Sequence, residues 1–284
     1  MIQKECFGTL FVLIVCTIQK KAVNLWPVLC AHPERARRYV IRTMKIAIIG
    51  YGKMGRMIEE VAVSRGHEIT CVIDKRGPWG PERKIWSPEA GFESEAFRRA
   101  DVAIEFTTPA TAEENIRKAW AQGVPVVCGT TGWMREPKEG EWTTEQNSNK
   151  ITVKDETGKV MLVWSSNYSV GVNIFFELNK QLSSAMKEQP QYTPSIKEIH
   201  HIHKLDKPSG TAKTLAENLS LTLSPREGIK IPIESIREGE VPGTHEVTWD
   251  SEEDTIVITH IAKGRRGFAL GAVLAAESVV ASRC

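Results

Sequence analysis

The sequence is short of several things, and each shortage narrows what the chain is. Its charge is nearly balanced, with 37 basic against 35 acidic residues for a formal +2, and no block of like charges makes a stripe for nucleic acid or an anionic membrane. Electrostatics nominates no macromolecular partner. The six cysteines (Cys6, Cys16, Cys30, Cys71, Cys128 and Cys284) are scattered without a CxxC pair, which disfavours a zinc knuckle or a disulfide framework and points to a reducing, cytoplasmic setting. Cys71 and Cys128 sit in apolar runs and read as inert buried thiols. The apolar run FGTLFVLIVCTI at residues 7–18 is too short to cross a bilayer. Internal repeats and low-complexity tracts are missing too.

What remains is enough for a globular protein of one large or two ordinary domains, with 41% hydrophobic residues over 284. Residues 1–43 differ in character from the rest. They hold the short apolar run, Lys20-Lys21 and a basic stretch from His32 to Arg38. They are expected to be an extension outside the catalytic fold, with an upstream start joined to a protein beginning at Met44 preferred over a targeting segment or a functional arm.

From Met44 the pattern becomes strand alternating with helix. The apolar run at residues 45–49 leads into Gly50-Tyr51-Gly52-Lys53-Met54-Gly55 and a helical segment. This is GxGxxG in the context that gives it meaning: glycines for a tight turn, for close approach to a pyrophosphate and for helix packing. The next strand, residues 68–73, ends on Asp74, about 20 residues beyond the third glycine, where an acid binds an adenosine ribose. Asp74 favours NADH, while Lys75 and Arg76 suit the 2′-phosphate of NADPH, so use of either cofactor is expected.

Further strands are expected at 102–106, 124–128 and 160–164, with a helix at 111–122 between the first two. Phe106-Thr107 and Gly129-Thr130-Thr131 follow two of these strands, where an open parallel sheet meets its ligand. Residues 134–160 read as a polar excursion or hairpin. Ser166-Asn167-Tyr168 then opens a hinge into a helix ending near residue 187. Beyond it come strands at 194–203, 229–237, 246–249 and 255–261, a helix at 209–222, and a last helix at 269–281 returning to the first domain. The fold class is thus α/β, a Rossmann-type dinucleotide-binding domain (44–166, with 263–284 returning to it) plus a second α+β substrate and oligomerisation domain (167–262).

The chemistry concentrates at residues 198–212, EIHHIHKLDKPSGTA. Ser209-Gly210-Thr211 opens a helix whose backbone N–H groups suit a carboxylate, Lys204 adds a fixed positive charge, and the histidines supply proton donors near neutral pH. Together these favour a small anion with more than one carboxylate. A metal cluster of His200, His201 and His203 is not expected: on a strand, His201 and His203 share a face while His200 points away, and no acidic or thiol partner is obvious. His203 is the histidine expected to be structural, and Asp206 to orient Lys204.

The run Glu-x-His-His-x-His-Lys-x-Asp-x-Pro-Ser-Gly-Thr-Ala at 198–212 closely resembles the signature of the bacterial dihydrodipicolinate reductase family. The resemblance extends through Gly50–Gly55, Phe106-Thr107, Gly129–Gly132, Asn167–Asn173, Arg265 and Phe268-Ala269-x-Gly271-Ala272, in the family's order. It implies NAD(P)H-dependent reduction of a cyclic hydroxy-tetrahydrodipicolinate, with loss of water. It also implies His200 as general acid and Lys204 as the second catalytic residue. His201, Ser209, Gly210 and Thr211 would bind the substrate carboxylates. Gly50, Gly52, Lys53, Met54, Gly55, Asp74, Phe106, Thr107, Gly129, Thr130, Thr131, Ser166, Asn167, Tyr168, Arg265 and Phe268 would line the cofactor, and a homotetramer would form through the second domain's sheet. Against the family pattern, the sequence stops soon after its last helix, at Cys284, the 134–160 excursion is long, and residues 1–43 have no counterpart. The competing readings are an aspartate- or homoserine-type dehydrogenase, which has no need of HHxHK ahead of PSGTA, and an inactive dinucleotide-binding sensor, which has no need of His200 or Lys204.

Overall fold

In a computed structural model of the chain, the described residues are 43–75, 85–133, 143–147 (backbone only), 150–223 and 231–283. The expectations for residues 1–42, for Arg76 and for the strand start at 229–230 fall outside them. Residues Thr43–Cys284 make one compact unit holding two sheets.

The first sheet is built from runs apolar on both faces, the mark of parallel strands sandwiched between helices. Its strands are β1 (Lys45–Ile49), β2 (Glu68–Ile73), β3 (Ile85–Trp86), β4 (Val102–Glu105), β5 (Val126–Cys128), β6 (Thr143–Asn147), β7 (Lys150–Lys154) and β8 (Val160–Ser165), in the order β3-β2-β1-β4-β5-β8-β7-β6. The six from β3 to β8 run parallel, and β7 and β6 continue the sheet antiparallel. The polar excursion is therefore, where described, a hairpin that widens the sheet.

Around it lie α1 (Lys53–Ser64), α2 (Pro88–Gly91), α3 (Glu95–Arg98) and α4 (Pro109–Ala121). In α1 the buried residues Gly55, Ile58, Val61 and Ala62 fall at helical spacing on one stripe. That stripe packs beside α7 (Arg266–Ala281) on one face of the sheet, where Ile46, Ile48 and Ile104 meet Ala272, Val273 and Ala276. The other face buries Ala47, Ile49 and Val126 under Phe92, Phe97, Ile116 and Ala119 from α2 to α4. The expected return of the last helix to the first sheet is what the structure has. An added Cβ at Gly271 would lie 1.6 Å from the Tyr168 carbonyl oxygen, so the close crossing there needs glycine.

The second sheet has the order β10-β9-β11-β12, from β9 (Thr193–His200), β10 (Ile233–Arg237), β11 (Thr244–Asp250) and β12 (Thr255–Ile261). β9 and β10 are parallel; the other pairs are antiparallel. Helices α5 (Val170–Met186) and α6 (Gly210–Leu223) cover one face, burying Phe175, Phe176, Leu215 and Leu219 against Ile196, Val247 and Trp249. Among the described residues the other face has no cover: Val257 is 48% and Ile261 67% exposed. Among the described residues no helix is long and apolar enough to cross a membrane.

One sequence expectation is corrected here. β9 ends at His200, and His201-Ile202-His203 make a turn. Strand alternation therefore relates His200 to Glu198, two residues back on the same face, and says nothing of His201 and His203.

Candidate active site

The C-terminal ends of the parallel strands gather the residues expected at a dinucleotide. Gly50 follows β1, Asp74 follows β2, Phe106-Thr107 follow β4, Gly129 to Thr131 follow β5, and Ser166 to Tyr168 follow β8. The order β3-β2-β1-β4-β5-β8 reverses direction between β1 and β4, the crevice where such folds bind their ligands. Gly50 has φ +93°, and a Cβ there would lie 2.2 Å from the Phe106 carbonyl oxygen; Gly55 approaches the Gly50 carbonyl as closely. Gly52 caps α1 without a side chain, leaving the N–H groups of the first turn, with Lys53 and Met54, for a ligand. Asp74 is buried and its carboxylate accepts the Tyr51 N–H at 2.7 Å, which fastens the glycine loop to the end of β2. These residues fit a dinucleotide: a backbone cradle, a helix start and an acid at the ribose position.

Hydrogen bonds hold the far side of this edge. Thr107 N–H donates to Thr130 Oγ1 at 2.8 Å, and the indoles of Trp133 and Trp164 both donate to the Thr130 carbonyl at 2.8 Å. The Phe106 ring lies over Gly129, where a side chain would collide with it. Beneath is Glu105, fully buried, taking the Thr107 hydroxyl and, at 3.0 Å, the Cys128 thiol. Burial, then the Glu105 charge, push the Cys128 thiol far above its usual range, which makes it inert. Tyr168 is buried with its hydroxyl 2.8 Å from the Val163 carbonyl and 3.0 Å from that of Cys128, so its ring serves packing and only its backbone faces the edge. Thr131 and Ser166 are exposed at the rim. Arg265 is exposed at the start of α7, with Phe268 half-buried behind it.

The second half of the site lies at the end of β9. Ser209 caps α6, its hydroxyl accepting the Ala212 N–H at 3.2 Å. That leaves the N–H groups of Gly210 and Thr211 at the helix start without helical partners, a natural carboxylate seat. Lys204 Nζ is 2.7 Å from Asp206 Oδ1, and the backbone carbonyls of both residues accept from Arg237. His201 is half-buried. His203, expected to be structural and hydrogen-bonded, is exposed and lies beside Glu240 at 3.1 Å.

What sequence reading missed is the support behind His200. Register places His245 directly across from Glu198, and Arg237 across from His200, all on the helix-covered face. Glu198 is fully buried; its Oε1 accepts the Ser209 N–H at 3.0 Å and an Arg237 N–H at 3.2 Å. Its Oε2 lies 3.2 Å from His200 Nδ1 and 3.8 Å from His245 Nε2. Burial raises the Glu198 pKa, but the hydrogen bonds it accepts outweigh that and hold it below the usual carboxylate range. His200 is shifted down by burial, against the pull of Glu198. His245 is pushed down to about 3 by burial and by His200, and so stays neutral. The acidic partner that sequence reading did not find for His200 is therefore Glu198. Donor atoms of Glu198, His200 and His245 lie within 4.8 Å of one another, yet the Arg237 guanidinium on the same carboxylate opposes a further cation there.

The two halves touch. Asn167, at the cofactor edge, donates from Nδ2 to Thr211 Oγ1 at 3.4 Å. The start of α6 thus lies beside the strand edge.

Comparison with known proteins agrees with this geometry. Residues 44–168 match the family described as dihydrodipicolinate reductase, N-terminus, and residues 171–283 its C-terminus. The chain is 40% identical over 242 residues to the 4-hydroxy-tetrahydrodipicolinate reductase of Christiangramia forsetii, covering 82% of this chain and 91% of that one. In fold it resembles the dipicolinate-bound dihydrodipicolinate reductase of Paenisporosarcina sp. TG-14, with a TM-score of 0.61 at 21% identity over 84% of this chain and 96% of that one. The aspartate semialdehyde dehydrogenase II of Vibrio cholerae shares the architecture at TM-score 0.53 and 12% identity, over 86% of this chain and all of that one. The architecture is therefore common to several dehydrogenases and does not separate them. The two matched family regions together span both sheets and the helix start at Ser209, and on that ground the chain belongs to the dihydrodipicolinate reductase family.

Proposed function

We propose that this chain reduces 4-hydroxy-tetrahydrodipicolinate to tetrahydrodipicolinate, with loss of water, in diaminopimelate and lysine biosynthesis. The contact that supports it best is Asn167 to Thr211, which sets the carboxylate seat against the dinucleotide edge. The dipicolinate of the Paenisporosarcina structure is a ring with two carboxylates, the anion class suited to the Gly210 and Thr211 N–H groups, the Ser209 and Thr211 hydroxyls, His201 and Lys204.

A bound reduced nicotinamide supplies hydride. His200 supplies the accompanying proton, being a buried imidazole at the end of β9 close to Lys204. The Lys204 ammonium, steadied by Asp206, holds a substrate carboxylate and offsets negative charge that develops on the ring. Gly50, Gly52, Lys53, Met54 and Gly55 receive the pyrophosphate, and Asp74 the adenosine ribose. Phe106, Thr107, Gly129, Thr130, Thr131, Ser166, Asn167 and the Tyr168 backbone line the nicotinamide side, with Arg265 and Phe268 flanking. Asp74 favours NADH and Lys75 beside it tolerates a 2′-phosphate, so both cofactors serve.

Domains at 44–166 and 167–262, with 263–284 returning to the first, fit this division of labour. A cytoplasmic homotetramer is the proposed assembly, formed through the uncovered face of the second sheet, where Val257 and Ile261 stand exposed. Light scattering on the purified protein reads the assembly directly: a monomer mass contradicts it.

The test of function is a coupled assay in which a synthase condenses aspartate semialdehyde with pyruvate and the loss of NADH or NADPH absorbance is followed. Oxidation that needs the condensation product, with KM values for the two cofactors within about a hundredfold, is expected. Oxidation with aspartate semialdehyde alone would assign a homoserine-type activity, and binding without turnover would leave a sensor. A thousandfold preference for either cofactor contradicts dual use.

A further inference from the structure

Beside His200, on the same interior strand β9, lies a buried carboxylate with no part in the steps above. Glu198 and His200 sit two residues apart on β9, both facing the α5 and α6 side. The Glu198 carboxylate is anchored at one oxygen by the Ser209 N–H at 3.0 Å and an Arg237 N–H at 3.2 Å. Its second oxygen, Oε2, and His200 Nδ1 are buried and face each other at 3.2 Å, while Ser235, across from Glu198 on β10, also bears on the carboxylate. They are out of line for a full hydrogen bond here, which is the loose geometry usual before substrate arrives. Two buried polar atoms of opposite type at this distance are costly unless used together.

We propose that Glu198 is a positioning residue for the proton donor: it holds the His200 Nδ1 proton, so that the imidazolium presents Nε2–H to substrate and relaxes to the Nδ1–H tautomer once that proton has left. This rests on His200 being the general acid. The proton given up at Nε2 goes to the substrate as hydride arrives, and solvent returns it later; the electron pair left on Nε2 stays in the ring.

The opposite edge of the imidazole lies beside Gly243. A Cβ on Gly243, whose φ is +148°, would lie 3.1 Å from His200 Nε2. Glycine at that point keeps the donating nitrogen clear and takes a backbone conformation other residues avoid.

The groups around His200 give the design its direction. Burial disfavours the imidazolium, and Lys204 and Arg237 disfavour it further; Glu198, with Asp206 behind Lys204, favours it. His245, across from Glu198 on β11, stays neutral and adds no charge at working pH. Of the charges around it, Glu198 most strongly favours a proton on His200. The same carboxylate fixes the Ser209 N–H, so the cap of the carboxylate seat and the orientation of the acid depend on one side chain.

The experiment compares wild type, Glu198→Gln, Glu198→Asp and His200→Gln for kcat against pH, with NAD(P)H binding and melting temperature measured on each. Glu198→Gln is expected to lower kcat at pH 8 by roughly 10² and to move the alkaline limb of its profile down by at least about one unit, with cofactor binding unchanged. Glu198→Asp should recover part of both. An equal loss of kcat at every pH, with the limb unmoved, makes Glu198 merely structural and overturns the proposal; so does loss of wild-type activity on treatment with a chelator, which would make Glu198 a metal ligand. If His200→Gln itself keeps near-normal kcat, the reading of His200 fails instead, whatever Glu198 does. Should Glu198→Gln not fold, ¹⁵N spectra of histidine-labelled wild type decide: the His200 ring is expected as the Nδ1–H tautomer above its pKa, and the Nε2–H tautomer there overturns the proposal.

Discussion

Asn167 and Thr211 join the two halves of the site, the amide of one donating to the hydroxyl of the other at 3.4 Å. Asn167 is itself fixed: its Oδ1 accepts the Ser169 N–H at 2.9 Å, and its carbonyl accepts from Asn173 at 3.0 Å. The contact transmits position from the last parallel strand to the start of α6. Thr211→Val keeps the shape and removes the acceptor. It should raise the substrate KM about tenfold, in line with ~1.4 kcal/mol for one polar contact, and leave the cofactor KM within about twofold. Steady-state kinetics with each substrate varied in turn check it; equal increases in both KM values would mean the hydroxyl serves the cofactor instead.

Lys204 is held by Asp206 at 2.7 Å. Lys204→Ala should impair kcat and substrate KM together, because a carboxylate loses its counter-charge both before and during reaction. Asp206→Asn leaves the ammonium in place and should cost much less, about tenfold or under in kcat/KM. A Lys204→Ala enzyme with altered KM alone would confine the lysine to binding.

Acid should destabilise this protein earlier than its carboxylates alone require. His200, His245 and His260 all have pKa values lowered by burial. A group whose folded pKa is depressed contributes stability that is complete above its unfolded pKa, near 6.5 for histidine, and is lost as pH falls. For His245, lowered to about 3, linkage puts the loss at about 2 kcal/mol by pH 5. Denaturant unfolding at pH 7.5, 6 and 5 should show stability falling over that interval, and His245→Asn should flatten the fall. A flat wild-type curve over the same interval would show these rings charged or exposed in the fold.

A second acid-sensitive contact ties α7 to the first sheet. Glu277 pairs with Arg65 at 2.7 Å and His67 at 3.0 Å. Burial raises its pKa, but those hydrogen bonds and charges bring it below the usual range. The stability it adds is therefore complete above about pH 4.5 and lost below it. Glu277→Gln should cost about 1–3 kcal/mol at pH 7, with the difference from wild type shrinking towards pH 3.

Much of the first sheet was legible because its signals are local. GxGxxG lies between a five-residue apolar strand and a helix with buried positions at helical spacing, and Asp74, Thr107 and Gly129 follow closely on β2, β4 and β5. The helix start at residues 209–211 was legible for the same reason, since Ser209, Gly210 and Thr211 are consecutive. What stayed hidden depends on pairing across strands. Glu198 meets His245 and Arg237 only through the register of β9 with β11 and β10, and nothing in the spacing of those residues announces it. The reading of His201 and His203 as one strand face failed because β9 stops at His200, so alternation was carried past the end of the strand. Glu105 was missed for another reason: a carboxylate within an apolar strand run looks like an ordinary strand end until Thr107 and Cys128 are seen turned towards it.

The measurement that bears most directly on the whole account is the coupled assay on His200→Gln beside wild type, with NADPH affinity determined for both. The expected result is a kcat lowered about 10² to 10⁴-fold, the usual worth of a positioned proton donor, at unchanged cofactor affinity. A variant that turns over the condensation product at close to the wild-type rate would contradict it.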